Sequence, residues 1–228
     1  MDTRKAQLLE MVIEEYIHTA QPVGSKILAE DGELDVSGAT IRNELRALEE
    51  EGFLTHPHTS AGRIPTETGY RYYVENFSKA TSQSIKKTVH KHVQEIQQTV
   101  PDQRSQMKAV AKCMAEWTNN AAIVVFETDS IYYTGISYLF SQPEFRDYAH
   151  AVRMTEIFDQ CEERVGSLEE SVPPQSTRVF IGKQNPLGSA CSSVVWRPNQ
   201  ELLFLVVGPM RMDYKKSQAL FASLEEVL

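Results

Sequence analysis

The first third of the chain is organised as amphipathic helices separated by short breaks. Apolar residues recur at three- and four-residue spacing from Leu8 to Ile17, with glutamates on the opposite side, and this period predicts a helix over residues 3–19. After the break at 21–24, Ser25 is a favoured N-cap for a second, short helix. The chain therefore opens with two helices joined by a tight connection.

A third helix is predicted from the capping residue Ser37 to about Glu51, because Gly52 is the residue type expected just past a helix end. Its apolar residues, spaced four and three, form one stripe that we expect to be buried. That stripe consists of Ile41, Leu45 and Leu48. The polar residues that lie off the stripe are Thr40, Arg42, Asn43 and Arg46.

The segment after the third helix predicts a short hairpin. Residues 53–55 and 63–65 have strand character, and residues 56–62 between them form a polar tip that contains glycine. Thr66 then caps a fourth helix. Three helices with a tight turn between the second and third, followed by a hairpin, is the order of a winged helix-turn-helix domain.

The middle of the chain is basic and helical, and the rest mixes strands with helices. Apolar seams at 85–100 and 107–117 predict two connecting and dimerising helices joined at Pro101-Asp102. The strands predicted beyond them are 121–126, 130–140, 177–182, 192–197 and 201–207, and the helices are 143–165 and 213–228. Strands in a run with flanking helices indicate an α+β fold built on an antiparallel sheet.

Composition is that of an ordinary globular chain. Of the 228 residues, 41% are hydrophobic and 24% are charged, which excludes a disordered chain. Membrane insertion and secretion are not expected, because apolar runs stay shorter than the ~18–20 residues of a membrane span and the N-terminus lacks a signal-peptide core. Three cysteines without a CxxC pair indicate reduced thiols in a cytoplasmic protein.

The net charge of −8 is unevenly distributed. Residues 1–75 hold 7 Lys/Arg and 14 Asp/Glu, a balance of −7, whereas residues 76–120 hold 7 and 3, a balance of +4. Residues 121–228 hold 9 and 14, a balance of −5. An acidic total argues against indiscriminate nucleic-acid binding, but it is compatible with a small basic reading surface on an acidic body.

The third helix carries the side-chain types of a DNA-reading helix. Arginine can bond guanine O6 and N7, asparagine can bond adenine N6 and N7, and threonine can contact a thymine methyl group. The start of the second helix suits phosphate, and the hairpin tip suits the DNA backbone or minor groove. The predicted DNA contacts are Ser25, Lys26, Ser37, Thr40, Arg42, Asn43, Arg46, His58, Thr59, Ser60 and Arg63.

Other interpretations of these residues, without DNA binding, stay open. Arg42 and Arg46 could simply solvate the helix and pair with Glu49 or Glu50. His56 and His58 lack the further ligands that a zinc site needs, so no metal or cofactor is predicted. The GxSxG, P-loop, GxGxxG and HExxH motifs do not occur in the sequence, and we expect that the protein is not an enzyme.

Several long motifs resemble the HrcA-type heat-inducible transcription repressors. In the N-terminal third these are EYI, PVGSK, ATIRNE and PHTSAGRIPT, at residues 15–17, 22–26, 39–44 and 57–66, followed by GYRYYV at 69–74. In the C-terminal half they are LFSQPEF, IGKQNP and GPMRMDY, at residues 139–145, 181–186 and 208–214. They follow the family order from residue 4 to residue 228.

The resemblance implies a homodimeric repressor that binds a palindromic operator of chaperone genes and leaves it on heat stress. It also implies a chaperonin partner, a C-terminal GAF-like domain, and base readout by Thr40, Arg42, Asn43 and Arg46. Two departures are visible. The chain lacks the dimerising domain that the family inserts after residues 122–126, and Gly38 stands where serine is common.

Together these observations predict a winged helix-turn-helix domain at 1–77, a helical linker at 78–118 and a GAF-like antiparallel-sheet domain at 119–228. The predicted partner is double-stranded DNA with an inverted repeat. A second hypothesis makes the GAF-like half a small-molecule sensor that controls DNA affinity. A third, based on the acidic total, is a protein-interaction module that does not bind DNA.

Overall fold

In the computed structural model the chain divides into two units, Met1–Ser78 and Lys79–Leu228. The residues that the structure describes are 1–30, 36–57, 62–78, 83–126 and 130–228. Along these ranges no helix is long and apolar enough to cross a membrane.

The first unit has the element order of a winged helix. Its elements are α1 (Thr3–Thr19), α2 (Ser25–Glu30), α3 (Gly38–Glu50), β1 (Leu54–Thr55), β2 (Ile64–Pro65) and α4 (Glu67–Phe77). The strands pair antiparallel, with Leu54 opposite Pro65 and Thr55 opposite Ile64. The predicted order of three helices, hairpin and fourth helix is confirmed. Ser25 is the first residue inside α2 rather than the residue before it.

The core of this unit lies between α1, α3 and α4. It includes Leu8, Leu9, Val12, Ile13, Ile17, Ile41, Leu45, Leu48, Tyr70 and Tyr73, all buried. The stripe predicted on α3 is therefore the buried side of that helix. Because this stripe is held against α1, the opposite side of α3 faces outward.

The second unit is built on one five-stranded sheet. Its elements are α5 (Gln83–Thr99), α6 (Gln103–Thr118), β3 (Ala121–Phe126), β4 (Ser130–Thr134), α7 (Ile136–Phe140), α8 (Tyr148–Asp159), α9 (Cys161–Ser171), β5 (Ser176–Ile181), β6 (Ser192–Arg197), β7 (Leu202–Gly208) and α10 (Tyr214–Glu225). The strand order is β4-β3-β7-β6-β5, and every neighbouring pair is antiparallel. The predicted α+β fold with an antiparallel sheet is confirmed.

Both faces of the sheet are covered by helices. Alternate strand residues such as Ile123 and Leu205 pack in one core with α7, α8 and α9. Residues of the other parity face α6 and α10, where the Trp196 ring lies 6.0 Å from that of Phe221. Three residues, 127–129, join β3 to β4, too few for a domain inserted between these strands.

Two predicted elements differ from the structure. Residues 130–140 form β4 and then α7, because Gly135 between them adopts a left-handed backbone with φ of 77°. The single helix predicted over 143–165 is instead a 3-10 turn at Pro143–Arg146, then α8 and α9, which meet at Gln160. On α8, Val152 is 37% exposed.

The apolar seams of α5 and α6 are largely used within the chain. Val89 and Val93 are buried on α5, which packs against α10 and α6. The buried seam residues of α6, which packs against the sheet, are Met107, Val110 and Met114. In the structure these helices form part of the second unit, and the division of the chain into three parts stays a prediction.

Candidate nucleic-acid interface

The start of α3 is fixed by a serine cap. The hydroxyl of Ser37 accepts a hydrogen bond from the backbone N–H of Thr40 at 3.2 Å and lies 3.0 Å from the Thr40 hydroxyl. This cap satisfies one of the free N–H groups at the helix start and sets its direction. Both hydroxyls therefore already have a partner.

Two acidic residues of the α3 region tie this helix to α1. Glu44 is 7% exposed and accepts a hydrogen bond from Arg4 at 2.5 Å. Glu51, just past the end of α3, accepts one from Lys5 at 2.6 Å. Sequence reasoning missed both contacts, because partners about 40 residues apart leave no local spacing signal. They hold α3 in a fixed orientation on the rest of the unit.

The outward side of α3 presents the predicted reading residues. Arg42 and Asn43 are exposed within the first two turns, and in the described part of the chain Arg42 forms no ion pair. Arg46 is also exposed, but its guanidinium lies 2.9 Å from Glu50. For Arg46 the interpretation as a surface pair is thus realised in the unbound protein, and such a pair is weak enough to exchange for a phosphate.

Three of the predicted residues line one cleft of about 310 Å³. Ser25 comes from the start of α2, Arg42 from α3 and Arg63 from the wing, the hairpin of β1, β2 and the residues between them. The remaining lining residues are Val23, Gly24, Leu45 and Gly62. Lys26 projects beside the cleft with an 88% exposed side chain, 3.8 Å from Glu30.

The wing is joined to the α1–α2 connection by its backbone. Val23 and Arg63 exchange two N–H to carbonyl hydrogen bonds, each 2.8 Å long. A Cβ atom on Gly62 would lie 2.5 Å from both the carbonyl carbon and the oxygen of Val23. Glycine is therefore required at this point for the close approach of the two backbones.

The side chain of Arg63 is bound by Glu49 of α3, with 2.7 Å between Nη2 and Oε2. The other carboxylate oxygen of Glu49 contacts Nδ1 of His56, at the opposite base of the wing. The sequence suggested Glu49 only as a possible surface partner of Arg42 or Arg46, and it offered no signal for its contacts with the wing. His58, Thr59 and Ser60, also predicted DNA contacts, lie outside the described residues.

The potential metal ligands and the buried cysteines of the described ranges can be compared with what a metal site or a reactive thiol requires. Groups of three or more His, Cys, Asp or Glu that could hold a metal ion are absent among the described residues. Burial raises the pKa of the Cys161 thiol to about 11 and that of the Cys191 thiol to about 12. Both thiols are therefore protonated and unreactive near neutral pH.

Comparison with known proteins adds family evidence to this geometry. Residues 69–217, more than half of the chain, match the family model described as HrcA protein C terminal domain. Residues 10–72 match the model described as Ribonuclease R winged-helix domain. The first of these matches covers both the fourth helix and the sheet of the second unit.

Curated relatives match over part of their length. A protein of Arthrobacter sp. (strain FB24) is 40% identical over 127 residues, which cover 55% of this chain and 36% of the relative. One of Chloroflexus aggregans is 57% identical over 81 residues, 36% of this chain and 22% of the relative. Both are named "Heat-inducible transcription repressor HrcA". The match thus spans about a third or less of each relative, and their name agrees with the prediction that the chain is not an enzyme.

One solved structure shares the whole fold. It is described as the crystal structure of a hypothetical protein at 2.2 Å resolution, and it superposes with a TM-score of 0.73 over 99% of this chain and 97% of its own. At 15% sequence identity this likeness supports the fold alone.

Proposed function

Because the chain belongs to the HrcA family, we propose that it is a sequence-specific DNA-binding transcription repressor of heat-shock operons that works in the cytoplasm. The name of the curated relatives supports repression and heat response. The winged-helix unit supplies the surface that such a repressor needs. An acidic chain with two exposed arginines, Arg42 and Arg46, on its reading helix is also expected to discriminate against random DNA.

The observation that carries this proposal is the cleft lined by Ser25, Arg42 and Arg63. It joins the start of α2, the exposed side of α3 and the base of the wing on one surface. In winged-helix and helix-turn-helix proteins, the third helix enters the major groove while neighbouring elements contact the backbone. Arg42 and Asn43 are exposed where the helix would meet base edges.

The remaining predicted residues differ in whether their side chains are exposed or already hydrogen-bonded within the protein. Lys26, with an 88% exposed side chain, is proposed to contact phosphate beside Ser25. Arg46 is proposed to exchange Glu50 for phosphate. Ser37 and Thr40, whose hydroxyls are engaged in the cap, are proposed to contribute mainly by fixing the start of α3.

We propose further that a homodimer binds an inverted repeat, because two-fold protein symmetry is matched by operator symmetry. Five seam residues, Val89, Val93, Met107, Val110 and Met114, are buried within the chain, so the dimer contact is proposed to use other residues. Sedimentation at micromolar concentration tests this: a single species of about twice the 25.8 kDa chain mass is expected, and a monomer contradicts it.

The experiment that tests DNA reading starts from a random-sequence duplex pool. The full chain selects duplexes, and fluorescence anisotropy then measures its binding to the selected inverted repeat and to one half-site across a salt series. Arg42→Ala and Asn43→Ala should each weaken binding to the selected duplex by about 1–3 kcal/mol and relax specificity at one position. Arg178→Ala, which removes the same charge from an exposed residue of β5, serves as the matched control.

Two results would contradict the proposal. Equal binding to the selected and a scrambled duplex would mean non-specific contact, and an equal loss in Arg178→Ala would mean a net-charge effect.

Release on heating is proposed to follow from loss of the folded state, which binds DNA. Operator binding that persists above the onset of unfolding would refute it. Recovery of binding after heating that is faster with a chaperonin present would support a chaperonin partner.

A second candidate function is small-molecule sensing by the second unit. An apolar cleft of about 200 Å³ lies between α5, α6 and α10 and is lined by Ile85, Val89, Trp117 and Leu220, with Lys216 at its rim. Drug-sized ligands fill clefts of about 300–1,000 Å³, so only a small ligand would fit. A metabolite that raises the unfolding temperature and changes DNA affinity would favour this function.

A further inference from the structure

Both bases of the wing are held by one carboxylate. His56 follows β1 and Arg63 precedes β2, so these two residues lie at the inner ends of the two strands of the wing. The carboxylate of Glu49 contacts both, through Oε1 to His56 and through Oε2 to Arg63 at 2.7 Å. A single side chain of α3 therefore connects the recognition helix to the two arms of the wing.

The wing is also held by packing contacts, among them the burial of Leu54 on β1 and the contact of the Phe53 ring with that of Tyr72. The β1–β2 ladder is only two residues long on each side, and an isolated two-stranded hairpin is at best marginally stable. The bridge between Val23 and Arg63 fixes one arm to the α1–α2 connection. On the other arm, His56 contacts Glu49 where β1 ends.

Glu49 lies on the side of α3 that is proposed to read DNA, where a negative charge is unexpected. Residues 42, 46 and 49 follow the four- and three-residue spacing that puts side chains on one side of a helix, so Glu49 shares a side of α3 with Arg42 and Arg46. The Glu49 and Arg63 side chains are only 22% and 24% exposed, and partial burial strengthens such a pair over one in water. An acidic residue on a DNA-reading side would by charge alone oppose binding.

We propose that Glu49 is a positioning residue for DNA recognition: it holds the wing against the recognition helix and so favours binding, although its charge opposes that of DNA. This proposal rests on the proposed function. It assigns to Arg63 a structural share in addition to any contact with DNA, because its guanidinium is already bound by Glu49. It also predicts that removal of the Glu49 charge weakens DNA binding, whereas charge alone predicts tighter binding.

The test compares Glu49→Ala with Glu50→Ala in the full chain. The two variants remove the same charge from adjacent positions of α3, and alanine suits a helix interior. Glu50 pairs only with the exposed Arg46 in the described structure. The probe is the duplex that the unmodified chain selects from a random pool, and affinity is measured by anisotropy across a salt series.

Glu49→Ala is expected to weaken binding to this duplex by about tenfold, which corresponds to about 1.4 kcal/mol. Its salt dependence should become shallower, because wing contacts to phosphate are lost. Glu50→Ala should bind equally or more tightly with an unchanged salt dependence. Equal or tighter binding by Glu49→Ala would overturn the proposal.

Hydrogen exchange separates a wing effect from general destabilisation. In Glu49→Ala the amide of Arg63, which donates to the Val23 carbonyl, should exchange faster while the amides of α1 stay protected. Faster exchange throughout the unit would overturn the positioning role. If Glu49→Ala does not fold, Glu49→Gln replaces it, and binding by that variant as tight as that of Glu50→Gln overturns the proposal.

The outcomes also separate this proposal from the proposed function. A chain that selects no duplex overturns the proposed function and with it the effect of Glu49 on DNA binding. The exchange measurement then still decides whether Glu49 holds the wing.

Discussion

Gly62→Ala is predicted to damage the wing through backbone crowding. The added methyl group would lie 2.5 Å from the carbonyl carbon and oxygen of Val23 and 2.8 Å from the backbone nitrogen of Gly24. All three are backbone atoms, so a rotamer change cannot relieve the contact. The Val23–Arg63 bridge, with its two hydrogen bonds of 2.8 Å, must therefore open or shift.

The expected loss of unfolding free energy in Gly62→Ala combines the cost of overpacking with the cost of the hydrogen bonds that break. Overpacking a tight site costs about 1–3 kcal/mol, and each lost backbone hydrogen bond costs about 1 kcal/mol. We expect the unfolding free energy to fall by about 2–3 kcal/mol, since the wing moves away and part of the strain is relieved. In a 60–100-residue domain, 1 kcal/mol corresponds to about 4–8 °C in unfolding temperature.

The assay is thermal unfolding of the full chain followed by circular dichroism, together with binding to the selected duplex. Gly24→Ala is the matched control, because a Cβ atom there meets no described atom within 4 Å. Gly62→Ala should unfold earlier and bind DNA more weakly, whereas Gly24→Ala should unfold at nearly the original temperature. An unchanged unfolding temperature for Gly62→Ala would refute the crowding argument.

Two further predictions concern the second unit. Gly135→Ala should lower the unfolding free energy by about 2–4 kcal/mol in urea denaturation, because φ is +77° and the new Cβ would lie 2.4 Å from that of Ala115. Gly166→Ala, in open space as far as the described residues reach, should be neutral or slightly stabilising, and equal losses would contradict this. Because burial raises the pKa of Cys161 to about 11 and of Cys191 to about 12, the folded state retains protons that the unfolded state loses, so stability should fall as pH rises above about 9. Urea titrations at pH 7 and pH 10 measure this fall, and a double serine variant with the same pH dependence would exclude the thiols as its cause.

Local signals in the sequence were sufficient for most helices. The side chains before four predicted helices each accept a backbone hydrogen bond from the first turn of that helix: Ser37, Thr66, Asp102 and Asp213. This capping bond forms between residues three apart in the sequence, so it can be predicted from the local sequence alone. The strand predicted over residues 130–140 was wrong beyond Thr134. The chain turns at Gly135, close to Ala115, and residues adjacent in the sequence do not reveal such a contact.

In the candidate site, too, local patterns were predicted from the sequence and contacts between distant residues were not. The exposed side of α3 follows from its period alone, since burial of Ile41, Leu45 and Leu48 leaves Arg42 and Asn43 outside. The carboxylates that orient α3 and the wing could not be found this way. Glu44 and Glu49 gain their roles from residues that approach only after folding, and one acidic residue in a run of three looks like its neighbours.

The central claim is that one surface of the first unit, formed by α2, the outward side of α3 and the wing, binds DNA. Hydrogen exchange of the full chain with and without the selected inverted-repeat duplex tests it most directly. We predict that added protection concentrates in residues 25–30, 38–46 and 62–65, and that a scrambled duplex gives little. Protection confined to the second unit, or equal protection by both duplexes, would contradict the claim.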